Sequence, residues 1–322
     1  MDDLARLWRT SLAGSSPRVV LTDGDDPRAA EAARRLATTT PVRPILISGT
    51  TPPCDGVDVL PPAAASSDPA IADCIAEALA RRGRPPGERA ALARDPLYIG
   101  AAAVRTGLAD ACVGGSARPT ADVIRAGIRV IGLAAGMNTV TSCFLMVMPD
   151  GRVFAYADCA VVPEPDAAQL SDITVATSRT FAELAGHPPA VAMLSFSTKG
   201  SAEHQVVQRV RTATELVRAR EPGLAVDGEL QFDAALAEAV AARKAPGSPT
   251  AGRANVFIFP NLDAGNIGYK ITERLAHATA IGPLLQGLAA PMNDLSRGCS
   301  VNDIVGVALA SAVQAPRLTP VP

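Results

Sequence analysis

The stretch Arg18–Ala37, "RVVLTDGDDPRAAEAARRLA", contains the pattern that decides the fold class expected for this chain. Its β-branched residues predict a strand at Val19–Leu21, a polar loop follows at Asp23–Pro27, and helical spacing begins at Arg28. The same order of strand, polar loop and amphipathic helix recurs at 111–132, 191–217 and 255–276. Strands and helices that alternate in this way predict an α/β fold with mostly parallel sheets and helices on both faces.

The unit at 111–132 makes a local prediction that a structure can test. Thr120 has the chemistry of a helix N-cap, since its hydroxyl can accept a hydrogen bond from the first turn. Val123, Ile124 and Ile128 are spaced to share one face of the helix that follows.

Other segments depart from the repeating unit. Residues 141–162 contain two strand-like runs around "PDG" at 149–151, residues typical of a tight turn, which predicts a β-hairpin. Stretches rich in proline and alanine at 49–70 and 242–254 are expected to be exposed connections. The end of the chain, 315–322, is expected to be a frayed tail.

Composition and charge narrow the class of protein. With 322 residues, 48% hydrophobic and 19% charged, the chain is long enough for two packed domains and is neither disordered nor fibrous in composition. The net charge is −2 and the basic residues are scattered, so the basic surface that nucleic acid or an anionic membrane requires is not predicted. Small molecules are therefore the expected partners.

The sequence lacks the motifs of signal peptides, membrane spans, disulfide frameworks and metal sites, and this predicts the location and the cofactors of the protein. The segment 1–16, "MDDLARLWRTSLAGSS", is acidic at its start and has no continuous apolar core, so it predicts a surface helix rather than a signal peptide. No run approaches the ~20 apolar residues that span a bilayer, and the cytoplasm is the expected location. The six cysteines form no C-x-x-C pair and the three histidines are far apart, so neither a disulfide framework nor a metal site is expected.

Polar loops after the strands are the candidate binding sites, because ligands of parallel sheets bind at the carboxyl ends of the strands. Residues 195–201, "SFSTKGS", have a composition suited to phosphate oxygens. The alternative is structural: Gly200 turns the chain and Ser201 caps a helix.

The loop at 259–270, "FPNLDAGNIGYK", is equally ambiguous. Gly265 and Gly268 allow the backbone to approach a ligand closely, or they form a turn with positive φ. Neither loop matches the dinucleotide fingerprint or the P-loop, which weakens the NAD and ATP interpretations.

The stretch 291–305, "PMNDLSRGCSVNDIV", concentrates polar chemistry before an apolar run. The spacing of Ser300 and Asp303 resembles a capping box, and in that interpretation Arg297 is a solvated loop charge. The alternative places Arg297 as a phosphate-binding guanidinium, with the Ser296 hydroxyl beside it and Asp303 as a base. The two roles of Asp303 compete, since a helix N-terminus favours the ionised carboxylate and lowers its basicity.

Motifs across nearly the whole chain closely resemble those of the phosphate acetyltransferases. The motifs occur in the family's order and are "SFSTKGSA" (195–202), "DGELQFDAAL" (227–236), "PNLDAGNIGYK" (260–270), "AIGPLLQGL" (280–288) and "NDLSRGCSVNDIV" (293–305), preceded by a similar stretch at 95–132. The resemblance implies reversible acetyl transfer between CoA and phosphate through a ternary complex, with CoA as a substrate and no permanently bound cofactor. It also implies a fold like that of the isocitrate and isopropylmalate dehydrogenases. The implied domains are 1–136 plus 284–322, and an inserted domain at 137–283 through which family members dimerise.

The resemblance also implies roles for individual residues. The family's "LSRG" serine and arginine correspond to Ser296 and Arg297, and its catalytic aspartate to Asp303. Asp303 would take the proton from the CoA thiol, Arg297 would hold phosphate and developing charge, and Ser296 would donate to the carbonyl oxygen. A further family arginine falls among Arg81, Arg82 and Arg84, where the length of the chain differs. The expected substrate-binding residues are Arg125, Ser195, Ser197, Thr198, Lys199, Gly200, Asn261, Gly265 and Asn266.

Several alternatives remain open at this point. A phosphate butyryltransferase would share the chemistry with a longer acyl pocket, and a non-catalytic acyl-CoA sensor would share the fold. A dehydrogenase is disfavoured because its cofactor fingerprint is not evident. Asp227 and Glu229 form a carboxylate pair expected to contact CoA or organise the site, and Cys299 is either a redox-sensitive thiol or a small packed side chain.

Overall fold

The structure is a computed structural model that describes residues 2–83 and 85–315. Arg84, one candidate for the further family arginine, and the predicted tail beyond residue 315 lie outside the described residues. The chain divides into two compact units. The continuous unit is Gly136–Gly287, and the split unit is Asp2–Ala135 together with the chain from Leu288 onward. The continuous unit extends slightly beyond both ends of the inserted domain expected at 137–283.

Strands and helices alternate along most of the chain. The strands are β1 (Arg18–Leu21), β2 (Arg43–Ile47), β3 (Asp58–Leu60), β4 (Ala111–Gly114), β5 (Thr141–Val147), β6 (Val153–Ala157), β7 (Ala190–Leu194), β8 (Ala225–Leu230), β9 (Val256–Ile258), β10 (Thr279–Gln286) and β11 (Met292–Asp294). The helices are α1 (Asp2–Ser11), α2 (Pro27–Thr39), α3 (Pro62–Ser67), α4 (Pro69–Ala80), α5 (Pro86–Leu92), α6 (Pro96–Arg105), α7 (Thr120–Ala126), α8 (Ala167–Ala185), α9 (Gln205–Arg220), α10 (Phe232–Leu236), α11 (Glu238–Lys244), α12 (Leu262–Leu275) and α13 (Val301–Gln314).

The split unit contains a fully parallel sheet in the order β11-β4-β1-β2-β3. After β1 the chain continues through α2 to β2 on one side, whereas β4 pairs on the other side of β1. The loops that follow β1 and β4 therefore diverge, and such a switch point at the carboxyl edge of a parallel sheet is where ligands bind. The loop between β11 and α13 joins them at the same edge, because β11 is parallel to β4.

The continuous unit contains a sheet in the order β10-β5-β6-β9-β7-β8. Its strands β6, β9, β7 and β8 are parallel, whereas β5 is antiparallel to both neighbours. Strands β5 and β6 form the predicted hairpin, and Gly151 supplies the positive φ of 87° at its turn. Aromatic side chains of β6 and β9 pack in the core, with the Tyr156 and Phe257 ring centroids 5.6 Å apart. The α/β prediction with mostly parallel sheets is confirmed.

Local predictions were less accurate at helix ends. Thr120 is the first residue of α7 and Pro119 precedes it at the N-cap, because the Thr120 hydroxyl is used elsewhere and donates to Asp294. The α-helix also ends at Ala126 and continues as a π-helical turn at Gly127–Ile131, so the predicted 123/124/128 face does not form as expected. The 3.6-residue spacing no longer applies once the helix changes type.

The alanine-rich connections contain more structure than predicted. Residues 49–70 include β3 and α3, with Ala65 fully buried, so this segment is not simply an exposed connection. Residues 242–254 include the end of α11, and Thr250 is buried. Helix α1 forms as expected, with Leu4 and Trp8 buried on one face. No described helix is both long and apolar enough to cross a membrane.

Candidate active site

Hydrogen bonds join the loops at the carboxyl edge of the split unit's sheet. In the loop after β1, Asp23 Oδ2 accepts from the backbone N–H of Ser116, at 2.9 Å, and from its hydroxyl, at 3.1 Å. Ser116 follows β4, so this carboxylate joins the loops at the switch point. At the end of β11, the Thr120 hydroxyl donates to Asp294 Oδ2 at 2.5 Å and ties β11 to the start of α7.

Arg28, in the first turn of α2, makes the widest set of contacts at this edge. Its Nη1 donates to the carbonyl oxygens of Arg297, at 3.0 Å, and Cys299, at 2.8 Å. Its Nη2 donates to Asp26 Oδ2, at 2.6 Å, and to the carbonyl oxygen of Ser116, at 3.0 Å. The Arg28 guanidinium lowers the pKa of the Asp26 carboxyl, so the pair is ionised. One side chain thus contacts the loops after β1, β4 and β11.

The loop between β11 and α13 carries Ser296 and Arg297, both exposed. Ser296 Oγ accepts from the backbone N–H of Gly298 at 3.2 Å, and this leaves its own proton available to a further acceptor. Across residues 2–83 and 85–315, no hydrogen bond or ion pair engages the Arg297 guanidinium; only its carbonyl oxygen is bound, by Arg28. This loop therefore presents a free guanidinium on a fixed backbone.

Asp303 lies in the first turn of α13 and forms the predicted capping box with Ser300. Its Oδ2 accepts from the Ser300 backbone N–H, at 2.7 Å, and from the Ser300 hydroxyl, at 2.9 Å. Its Oδ1 has no partner within the described part of the chain. One carboxylate can therefore cap the helix with one oxygen and accept a proton with the other, so the two predicted roles are geometrically compatible.

Two buried groups lie at the start of this loop and within it: Asp294, the last residue of β11, and Cys299. Asp294 is fully buried, and burial raises the pKa of its carboxyl to about 7 despite the hydrogen bond from Thr120. Cys299 is 6% exposed, and burial raises the pKa of its thiol to about 11. A buried, protonated thiol is a poor nucleophile, so the structure favours Cys299 as a packed side chain.

The other arginines predicted for the site have diverse surroundings. Arg125, on α7, is exposed and pairs with Asp122 at 2.5 Å. Arg82 is exposed and its Nη2 donates to the Ile128 carbonyl oxygen at 2.7 Å, whereas Arg81 is the C-cap residue that follows helix α4. These contacts do not choose between Arg81 and Arg82, and Arg84 lies outside the described residues, so all three remain candidates for the further family arginine.

In the continuous unit, the Ser195–Ala202 loop follows β7 and is held by a buried carboxylate. Glu229 Oε1 accepts from the Ser197 hydroxyl, at 2.8 Å, and from the Gly200 backbone N–H, at 2.9 Å. Arg211 Nε donates to Glu229 Oε2 at 2.9 Å. Burial acts to raise the pKa of Glu229, but the bonds from Arg211, Gly200 and Ser197 outweigh it and lower the pKa to about 2. Glu229 thus holds this loop in place, and its predicted role in contacting CoA or organising the site stays a prediction.

The hydrogen-bond donors of this loop are used internally. The backbone N–H groups of residues 197–202 donate to the hydroxyls of Ser195, Ser197 and Ser201, to Glu229, and to a carbonyl oxygen within the loop. Gly200 turns the chain with a φ of 88°. An anion here would have to compete with these partners. The predicted structural alternative therefore describes much of this loop, although His204 rather than Ser201 caps α9.

The cation of the loop is also paired. Lys199 Nζ contacts the carboxylate of Asp227, and Arg218 Nη2 donates to the same oxygen at 2.5 Å. The Asp227 side chain is 1% exposed, and burial alone would raise the pKa of its carboxyl. The bond from Lys199 and further hydrogen bonds outweigh burial, so the pKa of Asp227 is lowered from its ordinary value. Asp227 and Glu229 therefore bind protein cations in this structure.

The start of α12 follows β9, a neighbour of β7 in the sheet. Asn261 caps this helix through a bond to the Ala264 backbone N–H at 3.0 Å, and Asn266 Nδ2 donates to the Cys159 carbonyl oxygen at 2.9 Å. Gly265 lies inside the helix, and a Cβ there would overlap the backbone carbonyl of Asp158. The alternative of a positive-φ turn at Gly265 was wrong, because the glycine permits close helix packing instead.

The structure groups the predicted residues by unit. Ser296, Arg297, Asp303 and Arg125 lie in the split unit, and the other predicted residues lie in the continuous unit: Ser195, Ser197, Thr198, Lys199, Gly200, Asn261, Gly265 and Asn266. Within residues 2–83 and 85–315, no group of three or more His, Cys, Asp or Glu side chains is arranged to hold a metal ion.

Sequence reasoning missed Arg28 and Asp158. A signal for Arg28 existed, because a cation in the first turn of a helix opposes the helix dipole and therefore requires compensating partners. Asp158 is 2% exposed and accepts from the hydroxyls of Thr141, at 3.0 Å, and Ser142, at 2.5 Å. It gave no comparable signal, since its partners lie on a neighbouring strand.

Comparison with known proteins identifies the family to which this chain belongs. The profile of the phosphate acetyl/butaryl transferase family matches residues 5–312. The chain belongs to this family. A phosphate acetyltransferase of Paracoccus denitrificans is 48% identical over 301 residues, 92% of this chain and 94% of the relative. The resemblance drawn from the motifs is confirmed, and the family is one of acyltransferases.

Solved structures resemble both the sequence and the fold. The EutD phosphotransacetylase from Staphylococcus aureus superposes with a TM-score of 0.88 at 37% identity, covering 98% of this chain and 99% of that one. A phosphotransacetylase from Streptococcus pyogenes gives 0.89 at 37% identity, covering 98% of both chains. A 4-hydroxythreonine-4-phosphate dehydrogenase described as putative, from Salmonella typhimurium, gives 0.54 at 11% identity, covering 93% of this chain and 99% of that one. That last likeness concerns the fold alone, and the predicted dehydrogenase-like architecture is confirmed.

Proposed function

We propose that this chain is a phosphate acetyltransferase, which interconverts acetyl-CoA and phosphate with acetyl phosphate and CoA. The observation that carries the proposal is the free guanidinium of Arg297, on a loop that also offers the Ser296 hydroxyl. An unpaired guanidinium suits a doubly charged phosphate, which accepts paired hydrogen bonds. The 48% identity to an acetyltransferase supports acetyl as the acyl group.

The residues of the split unit supply the steps of the reaction in this proposal. Asp303 Oδ1 accepts the proton of the CoA thiol, whose pKa of about 8.5 leaves it mostly protonated at neutral pH. The thiolate attacks the acetyl carbonyl carbon of acetyl phosphate, so a C–S bond forms and the C–O bond to phosphate breaks. Ser296 donates to the carbonyl oxygen as it becomes an oxyanion, and Arg297 stabilises the departing phosphate.

The remaining predicted residues are proposed to bind other parts of the substrates or to shape the loops that border them. Arg125 is exposed and can exchange Asp122 for an anionic group. Ser197 and Thr198 are buried, so their part is to shape the loop rather than to contact substrate. The full proposed set in the continuous unit is Ser195, Ser197, Thr198, Lys199, Gly200, Asn261, Gly265 and Asn266.

The deciding experiment follows thioester formation by its ultraviolet absorbance, with purified protein, acetyl phosphate and CoA. We expect rapid acetyl-CoA formation that a metal chelator does not slow. Comparing acetyl-CoA with butyryl-CoA in the reverse direction tests acyl preference, and faster turnover of butyryl-CoA would favour a butyryltransferase. Acetyl-CoA binding without phosphate-dependent turnover would contradict the proposal and favour a non-catalytic sensor.

We also propose that the protein is a homodimer in the cytoplasm. The support for association is a row of exposed apolar side chains on α12, at Ile267, Ile271 and Leu275, with exposed fractions of 57%, 52% and 78%. Light scattering of the purified chain should give a dimer mass, and Ile271→Glu should shift it towards the monomer. A monomeric wild type would contradict the dimer, and fractionation of producing cells tests the location.

A further inference from the structure

We propose that Arg28 is a positioning residue for acyl transfer, which holds the Leu295–Ser300 loop so that the Arg297 guanidinium meets phosphate. This inference rests on the proposed function for the identity of the reaction. The geometry that supports it lies within the split unit and does not depend on any ligand.

The bonds of Arg28 to the loop fall on Arg297, which carries the charge, and on Cys299 two residues later. Its Nη1 donates to the carbonyl oxygens of Arg297 and Cys299, which bracket Gly298. An exposed glycine has wide backbone freedom, so without these bonds the loop would sample other conformations. Arg28 therefore restricts the backbone next to Arg297, where a change of conformation would misplace the Arg297 side chain.

The opposite side of the guanidinium is anchored independently of the loop. Nε and Nη2 of Arg28 bind the Asp26 carboxylate at 3.1 and 2.6 Å, and Nη2 also reaches the Ser116 carbonyl oxygen at 3.0 Å. Asp26 caps α2 through its bond to the Arg28 backbone N–H at 2.9 Å. The loop is thus fixed against a helix terminus and against the strand β4 end, both rigid elements.

Only a planar cation with several donors can make this set of contacts. The ammonium group of lysine is a point charge at the end of a flexible chain, so it can neutralise Asp26 but cannot reach all three loops together. Arg28 acts through the backbone of the loop and does not itself provide the phosphate-binding charge, since its donors are occupied by protein oxygens.

The decisive test is a double-mutant cycle in thioester formation, with Arg28→Met, Arg297→Gln and the two combined. We expect Arg28→Met to lower kcat by about 10²-fold, as misplacement of a catalytic group by roughly 1 Å does. In the Arg297→Gln background the same change should cost less than about threefold, because there is no guanidinium left to position. An equal loss in both backgrounds would overturn the proposal and assign Arg28 a general structural role.

Arg18→Met is the matched control. Arg18 also binds a carboxylate, Asp110, and a backbone carbonyl oxygen, that of Gly107 at 2.9 Å, and both arginine side chains are 33% exposed. It lies at the start of β1, the opposite end of the strand from Asp26. We expect its kcat within about twofold of the wild type; a fall as large as that of Arg28→Met would contradict a specific positioning role.

Turnover of Arg28→Lys remains informative if Arg28→Met is poorly folded, and alkylation of Cys299 remains informative even if the wild type is inactive. Arg28→Lys should fold and show intermediate turnover, whereas full activity would show that charge alone suffices and overturn the proposal. Alkylation of Cys299, followed by peptide mass spectrometry, should be faster in Arg28→Lys than in wild type if the loop is released. Unchanged alkylation would contradict the loop contact. Absence of wild-type turnover would instead refute the proposed function.

Discussion

The Leu295–Ser300 loop of the split unit and the Ser195–Ala202 loop of the continuous unit both connect a strand to a helix, but side chains of opposite charge hold them. Each follows the carboxyl end of a strand that pairs in parallel and leads into a helix. The first is held by a cation, Arg28, which binds backbone carbonyl oxygens. The second is held by an anion, Glu229, which binds a hydroxyl and a backbone N–H.

The charge of the support determines what each loop can still offer. A cation uses the acceptors of its loop and leaves the Arg297 guanidinium free for an anionic substrate. A carboxylate uses the donors of its loop, and Lys199 is in turn paired with Asp227. We infer that the first loop is suited to chemistry on phosphate, whereas the second is a stable element whose effect on catalysis is indirect.

The largest effect is expected for Asp303→Asn. The amide oxygen can still accept from the Ser300 backbone N–H, so the helix cap is largely kept, but the base is lost. We expect kcat to fall by about 10³-fold, or about 4 kcal/mol of transition-state stabilisation, with little change in Tm. Thioester formation per folded molecule, with the folded fraction from circular dichroism, measures this.

Ser300→Ala is the control for Asp303, because it removes the capping hydroxyl and keeps the carboxylate. It should cost about 1 kcal/mol of stability and leave kcat within a few-fold. If Asp303→Asn instead melts the protein and spares turnover per folded molecule, Asp303 is a cap and not a base.

The second largest effect is expected for Glu229→Gln, and it concerns the free energy of unfolding. The pKa of about 2 lies below the ordinary 4.5, so ionised Glu229 contributes roughly 3 kcal/mol to the free energy of unfolding at neutral pH. This contribution is complete above about pH 4.5 and disappears as the pH falls towards 2. Urea unfolding across this range should show a weaker pH dependence in Glu229→Gln than in wild type.

The control for Glu229 is Glu203→Gln, which removes another partner of Arg211. The Glu203 side chain is 76% exposed, so its ion pair is solvent-screened and should contribute less than about 0.5 kcal/mol. Equal losses in the two variants would contradict the view that burial makes Glu229 the support of its loop.

The third effect is on turnover alone, in Arg297→Gln. Loss of a preorganised charge should lower kcat by about 10²-fold, equivalent to about 2.7 kcal/mol. The free energy of unfolding should be unchanged, because the guanidinium has no partner in the described residues. A large loss of stability, measured by urea unfolding, would mean that the side chain supports the fold instead.

The smallest effect is expected for Ser197→Ala, which removes one bond to Glu229. The free energy of unfolding should fall by about 1 kcal/mol, and the KM for CoA should rise less than about threefold. A tenfold or greater rise in KM with unchanged stability would remove the contrast between the loops and assign Ser197 to direct substrate binding.

The sequence predicts the fold of this molecule better than the contacts of individual site residues. Hydrophobic periodicity predicted the α/β class, and motif order predicted the family, because both depend on local patterns that are visible along the chain. The capping box of Ser300 and Asp303 was also predictable, since its partners are three residues apart. Thr120 was misassigned because its hydroxyl binds Asp294, which is distant in sequence.

The sequence by itself determined the family and the candidate catalytic side chains, since Ser296, Arg297 and Asp303 are recognisable from a short motif. Tertiary structure alone decided which of the charged residues remain free. Arg28, Lys199 and Arg297 are all cations beside polar loops, yet the first two are occupied by protein oxygens. The physical reason is that pairing depends on distances between residues far apart in the chain, which the fold of each unit sets.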